Sequence, residues 1–239
     1  MRKSIAKNAF RCFGLLVMLT SAWLAQAQDT KTPYPSMAPL DQYLMERSAE
    51  ITLARSAAPP SISEAAEVMV LGKQGYEIAD RGTNGFVCMV QRSWTAGFDD
   101  PEFWNPKRRG PTCFNPASAR SYIPLIIKKT DLALAGRSKD QMVATISAAV
   151  NKKELPAMEL GAMCYMMSKQ GYLSDDAGDG GRWHPHLMFF LPLSDAGTWG
   201  AGLAGSQVFE AKDETAQVTT FMVVVRKWSD GTFDMPETH

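Results

Sequence analysis

Between residues 67 and 226 the apolar side chains come in short runs separated by turn-forming residues, and one central stretch, 117–152, has helical spacing instead. The short runs are 67–71 (EVMVL), 86–92 (FVCMVQR), 161–168 (GAMCYMMS), 186–191 (HLMFFL), 206–210 (SQVFE) and 217–226 (QVTTFMVVVR). They are rich in β-branched, aromatic and methionine side chains, which suit a pleated, half-buried surface. Strand runs segregated from helical ones specify an α+β chain. The expectation is an antiparallel sheet of about five or six strands with helices packed on one face.

The helical stretch divides in two. Residues 117–134 carry Tyr122, Leu125, Ile126, Leu132 and Leu134, with Pro124 placed to delay or kink the start. Ser138 then opens a capping box with Gln141, and Met142, Ile146 and Val150 follow at four-residue spacing, so 139–152 is expected to be a helix. A further amphipathic helix is predicted at 40–56 from Leu40, Tyr43, Leu44, Ile51 and Ala54, ended by Pro59-Pro60. Gly72 to Gly75 reads as a turn and 76–79 as extended chain. Asn84-Gly85 reads as a turn that sends 86–92 back antiparallel to 67–71. The order ββ-αα-βββ resembles that of PAS-like and profilin-like sensor domains, a likeness of element order that assigns no residue a role.

The first 27 residues have the layout of a secretory signal. Arg2, Lys3, Lys7 and Arg11 precede an apolar run from Phe13 to Leu24, which ends in Ala25-Gln26-Ala27. An apolar run of about 12 residues is too short for a bilayer core that needs roughly 20. The expected organisation is a signal peptide at 1–27, a flexible proline-rich leader at 28–39 and one α+β domain at 40–239. The expected localisation is periplasmic or secreted, with no membrane span in the mature chain.

The precursor has 25 basic and 25 acidic side chains; the signal holds four basic ones and no acid, which leaves 21 against 25 and a mature net charge of −4. A mildly acidic chain without a basic stripe has little to gain from a phosphate backbone, which argues against nucleic acid as a partner. An unknown small ligand or a protein is the partner class that remains. Cys88, Cys113 and Cys164 follow the signal. An oxidising compartment allows one bridge, with Cys88–Cys113 preferred and three buried thiols as the alternative.

Two regions invite chemistry. Residues 93–116 crowd prolines, charges and rings into one loop, and Trp94, Phe98, Phe103 and Trp104 are its ligand-binding candidates; rings that cap the core are the plainer reading. Residues 158–190 gather His184, His186, Cys164, Met166 and Met188. On a strand alternate residues share a face, so His184, His186 and Met188 would point together, and imidazole, thiolate and thioether suit copper or, with imidazole, zinc. Ordinary core methionines are the competing reading. The acids of 174–181 lack the spacing of a calcium loop, and Gly200 to Gly205 matches G-x-G-x-x-G without the helix that a dinucleotide needs. Catalytic residues stay unassigned: no nucleophile elbow, zinc-protease motif, P-loop or C-x-x-C is present.

The segments Gly82 to Cys88, Pro111 to Phe114, GAMCYMMSKQGYL and WHPHLMFF together resemble a group of uncharacterised exported bacterial proteins, over most of the mature chain. The resemblance implies bacterial export and carries no functional residue. Three functions remain open: a non-catalytic ligand-binding or sensing module, a periplasmic copper or zinc protein, and an enzyme of unrecognised type.

Overall fold

The structure, a computed structural model, describes residues 33–175 and 178–234. The signal peptide expected at 1–27 and the first part of the expected leader, to residue 32, lie outside the described residues.

The fold is α+β, as the segregated pattern implies, but its sheet is larger than expected. Eight strands join in one sheet: β1 (Glu67–Gly72), β2 (Gly75–Asp80), β3 (Val87–Gln91), β4 (Gly110–Phe114), β5 (Met163–Met166), β6 (His186–Pro192), β7 (Val208–Asp213) and β8 (Val218–Val224). Their spatial order is β2-β1-β3-β4-β5-β6-β8-β7. The helices include α1 (Arg47–Arg55), the single turn α2 (Pro60–Ser63), α3 (Pro116–Ser121), α4 (Ile123–Leu134) and α5 (Lys139–Asn151). The expected ββ-αα-βββ order therefore becomes four strands, three helices and four strands, preceded by α1 and α2.

Two strands account for the difference. β2 is a strand of its own and forms a tight antiparallel hairpin with β1, turning through Lys73-Gln74 with Gly75 at φ 121°. β4 lies inside the supposed loop, disguised by Pro111, which lacks the N–H of a central strand. Pro111 pairs opposite Val90 of β3, whereas the β4–β5 register covers only Cys113 and Phe114, so the proline stands beyond the β5 ladder.

The pairing of β1 with β3 is parallel, not antiparallel as the Asn84-Gly85 turn suggested. Because β2 takes the outer side of β1, the chain must cross the start of β1 to reach its inner side. It crosses at Gly82, where a Cβ atom would sit 2.0 Å from the Glu67 nitrogen. Thr83 and Asn84 donate to the Ala65 carbonyl, and Glu67 donates to that of Phe86, which pins the crossing.

Helices cover both faces of the sheet rather than one. Strand alternation sends Val68, Val70, Cys88, Val90 and Cys113 to the face packed by Leu53, Ala54 and Ala57 of the α1 region. Met89, Phe114, Cys164, Met166 and Phe190 point to the opposite face, against Ile123, Leu125 and Ile126 of α4 and Ile146 of α5. The expected helix at 40–56 is shorter than its periodicity: Leu40–Gln42 is a 3-10 turn, and α1 starts only after Glu46, whose carboxylate caps the Ser48 and Ala49 amides. Pro60 starts α2 as its first residue, a position where its missing N–H costs nothing. The helix expected from 139 forms as read, with the Ser138–Gln141 capping box in place. None of the described helices is long and apolar enough to cross a membrane.

Cys88 and Cys113 stand directly opposite each other on β3 and β4 and form a disulfide. Cys164 is free and buried.

Candidate functional site

The aromatic segment divides into rings that build the core and rings that border a cleft. Trp94 sits in a 3-10 turn after β3, fully buried, with its indole N–H donated to Thr130 Oγ1 at 3.0 Å and its ring 4.8 Å from that of Tyr43. Phe98 stacks on Phe103 at 5.4 Å and carries the Lys129 ammonium 4.4 Å above it. Phe103 meets Trp104 edge-on at 4.7 Å. Neither Trp94 nor Phe98 lines the cleft that the other two border. Phe103 and Trp104, although almost wholly buried, form part of the wall of a cleft of about 560 Å³.

The rest of that wall draws on elements far apart in sequence: Tyr34 and Met37 of the N-terminal segment, Asp100 of the loop, and Arg137, Lys139 and Asp140 around the start of α5. The Lys139 ammonium lies 5.6 Å from the Phe103 ring centre. Arg137 is exposed, and neither cation forms an ion pair among the described residues. Two of the loop's acids, Asp100 and Glu102, are already engaged. Asp100 accepts from the Glu102 amide and pairs with Arg108 at 2.7 Å, while Glu102 accepts from Asn105 and from the Asp175 amide. These bonds tie both carboxylates into the loop's own framework.

The N-terminal segment is held over the cleft. Tyr34 and Tyr172 both donate their hydroxyls to the Asp175 carboxylate, which Lys107 also contacts at 3.0 Å. The two phenol hydrogen bonds, with the lysine beside them, hold the Asp175 carboxyl far below the usual carboxylate range. Asp175 is therefore an anchor for residues 33–38 and not an open ligand in an acidic loop.

The second predicted cluster assembles in part. In the β5–β6 register Cys164 is opposite Met188 and Met166 is opposite His186, so these four share the sheet face that carries α4 and α5. His184 does not join them. β6 begins at His186, after Pro185, and the alternation that would align the two histidines is not yet established at His184. The exposed His184 ring meets Asp234 at 2.5 Å through Nδ1, while Nδ1 of His186 meets the His184 carbonyl at 2.7 Å. Burial lowers the pKa of His186 and pushes the Cys164 thiol far above its ordinary value. Among the described residues no three His, Cys, Asp or Glu side chains gather where they could hold a metal ion.

No family model matches the chain, and no curated protein or solved structure compared with it does either.

A second cleft, of about 500 Å³, was not legible in the sequence. Leu125, Val150, Leu155, Met158 and Val218 give it an apolar lining. Lys153 and Gln217 on its border hold left-handed backbones, at φ 57° and 59°, in places where glycine is the cheaper residue. Local structure accounts for both. Lys153 ends α5, with its own amide and that of Glu154 bonded back to Val150 and Ala149, and Gln217 closes the β7–β8 turn by a side-chain bond to Glu214.

Proposed function

We propose that the protein is a non-catalytic binding module, exported through its N-terminal segment, that takes a small planar anion in the cleft beside Phe103 and Trp104. The observation that carries this reading is the placement of Arg137 and Lys139, neither in an ion pair among the described residues, on the wall of one cleft with Phe103 and Trp104, the Lys139 ammonium lying over the Phe103 ring. A guanidinium presents paired donors to a carboxylate, and the rings supply apolar, stackable surface for the remainder of the ligand. Among the described residues the lining contains no histidine or cysteine. The disulfide, and the lack among the described residues of a helix fit to span a bilayer, are compatible with export.

The test is thermal unfolding and calorimetric titration of the mature protein against a panel of benzoate- and indole-type carboxylates. A ligand at a hundred times its Kd stabilises by about 2.7 kcal/mol, a rise in Tm of roughly 5–10 °C for a domain of this size. The Arg137→Ala/Lys139→Ala variant should fold normally and lose the shift. Binding that survives in this variant, or a panel with no effect, would overturn the assignment. Turnover of a bound compound would replace it with the enzyme reading. Stoichiometric copper or zinc, lost on His184→Ala/His186→Ala substitution, would replace it with the metal reading.

A further inference from the structure

β7 is the outermost strand at one end of the sheet and pairs only with β8. The hydrogen bonds it makes fix which of its backbone groups face outward. The Gln207 carbonyl accepts from the Val224 amide, so residues 207, 209, 211 and 213 direct their groups toward β8. Val208 faces the other way: its amide donates to Ser206 Oγ, and its carbonyl accepts from the Gly202 amide. The chain thus closes its own edge at Val208. By the same alternation the amides and carbonyls of Glu210 and Lys212 point outward, and no described residue pairs with them.

This open edge is complementary to itself. With a two-fold axis at Ala211, Glu210 of one copy stands opposite Lys212 of the other, and each residue exchanges both of its backbone bonds with its opposite number. Ala211, the smallest side chain of the strand, then meets Ala211 of the second copy at the closest approach. Axes at Glu210 or Lys212 would oppose like charges, and an axis at Phe209 would call on Val208 groups that are already bonded. The side chains fit the same register. Glu210 Oε1 lies 3.5 Å from Lys212 of its own chain, while Glu210 Oε2 is shielded from solvent without a hydrogen-bond partner among the described residues. Phe209, half exposed, lies diagonal to Ala211 of the second copy in this arrangement.

We infer that the protein forms a homodimer by antiparallel β7–β7 pairing centred on Ala211, which continues the eight-stranded sheet of one copy into that of the other. Sedimentation of the full mature chain over a dilution series tests this. The expected result is a monomer–dimer equilibrium in which Glu210→Lys or Lys212→Glu alone raises the dimer Kd about tenfold, because each places two like-charge pairs across the axis. The double swap restores opposite charges and should return the Kd to its original range. In the unaltered protein, hydrogen exchange at the Glu210 and Lys212 amides should slow as concentration rises. A monomer at every concentration, or a dimer indifferent to the single and double swaps, would overturn the inference. Slow exchange independent of concentration would also overturn it, since the edge would then be covered by the chain's own terminal residues.

Discussion

Glu50 and Arg92 form an ion pair of 2.9 Å in which neither side chain reaches solvent. Glu50 also accepts the Leu71 amide, and Arg92 donates to the Tyr43 and Val90 carbonyls, so one buried pair joins α1, β1 and β3. Removing the carboxylate strands a desolvated guanidinium. Glu50→Ala is expected to cost about 3–5 kcal/mol in urea unfolding. Replacing both partners by leucine and methionine should also destabilise, because the Leu71 amide and the Tyr43 carbonyl lose these bonds, while the Val90 carbonyl keeps the one from the Tyr76 hydroxyl.

The disulfide closes a sequence separation of 25 residues across β3 and β4. The Cys88→Ser/Cys113→Ser variant is expected to lose about 3–4 kcal/mol of stability, read as a lower midpoint in denaturant. Cys164 should behave differently. Buried and held protonated, it should resist thiol reagents in the native protein and become the single titrated thiol of residues 28–239 after unfolding without reductant.

Gly82→Ala tests the crossing that makes β3 parallel to β1. Its Cβ would lie 2.0 Å from one backbone nitrogen and 2.5 Å from the Ala66 carbonyl carbon, neither of which is a movable side-chain tip. A loss of about 3 kcal/mol or more, or failure to fold, is expected. A neutral result in thermal unfolding would mean that the linker takes another route.

Acid stability depends on surface carboxylates whose pKa values are lower in the folded state. Hydrogen bonds from the Ser48 side chain and from the Ser48 and Ala49 amides bring Glu46 down to about 2 from an ordinary 4.5. Lys169, followed by Thr232, brings Asp230 to about 2 from 3.8. A depressed folded pKa contributes stability above the unfolded value and loses it as pH falls through the folded one. Stability should therefore decline between about pH 4.5 and 2, and Glu46→Gln should flatten the upper part of that decline in pH-dependent denaturation.

Local chemistry made several elements legible in advance. The Ser138–Gln141 capping box defines its helix whatever the surroundings, and the β6 and β8 runs carry enough β-branched and aromatic character to read as strands alone. β4 was hidden because Pro111 is evidence against a central strand, and only the short reach of the β5 ladder makes it tolerable. The place of His184 is hidden for a related reason: alternation within a strand can be read from spacing, whereas the residue at which the strand begins, here His186, depends on its partner. At the cleft, Phe103 and Trp104 were named from the loop's composition. Arg137 and Lys139 were not, since nothing local distinguishes them from any charged helix start.

The amino-acid order by itself determined the α+β class, the capped central helix and most of the strand runs, because these follow from side-chain period and short-range bonding. It also placed Cys88 and Cys113 as the preferred bridge. The tertiary structure decided the parallel β1–β3 pair, the helices on both faces, the buried Glu50–Arg92 pair and the meeting of Tyr34, Phe103 and Arg137 around one cleft. Each of these depends on contacts between residues distant in sequence. Such contacts form only where the burial of many side chains at once outweighs the entropy of bringing them together, a balance that no local window of the chain contains.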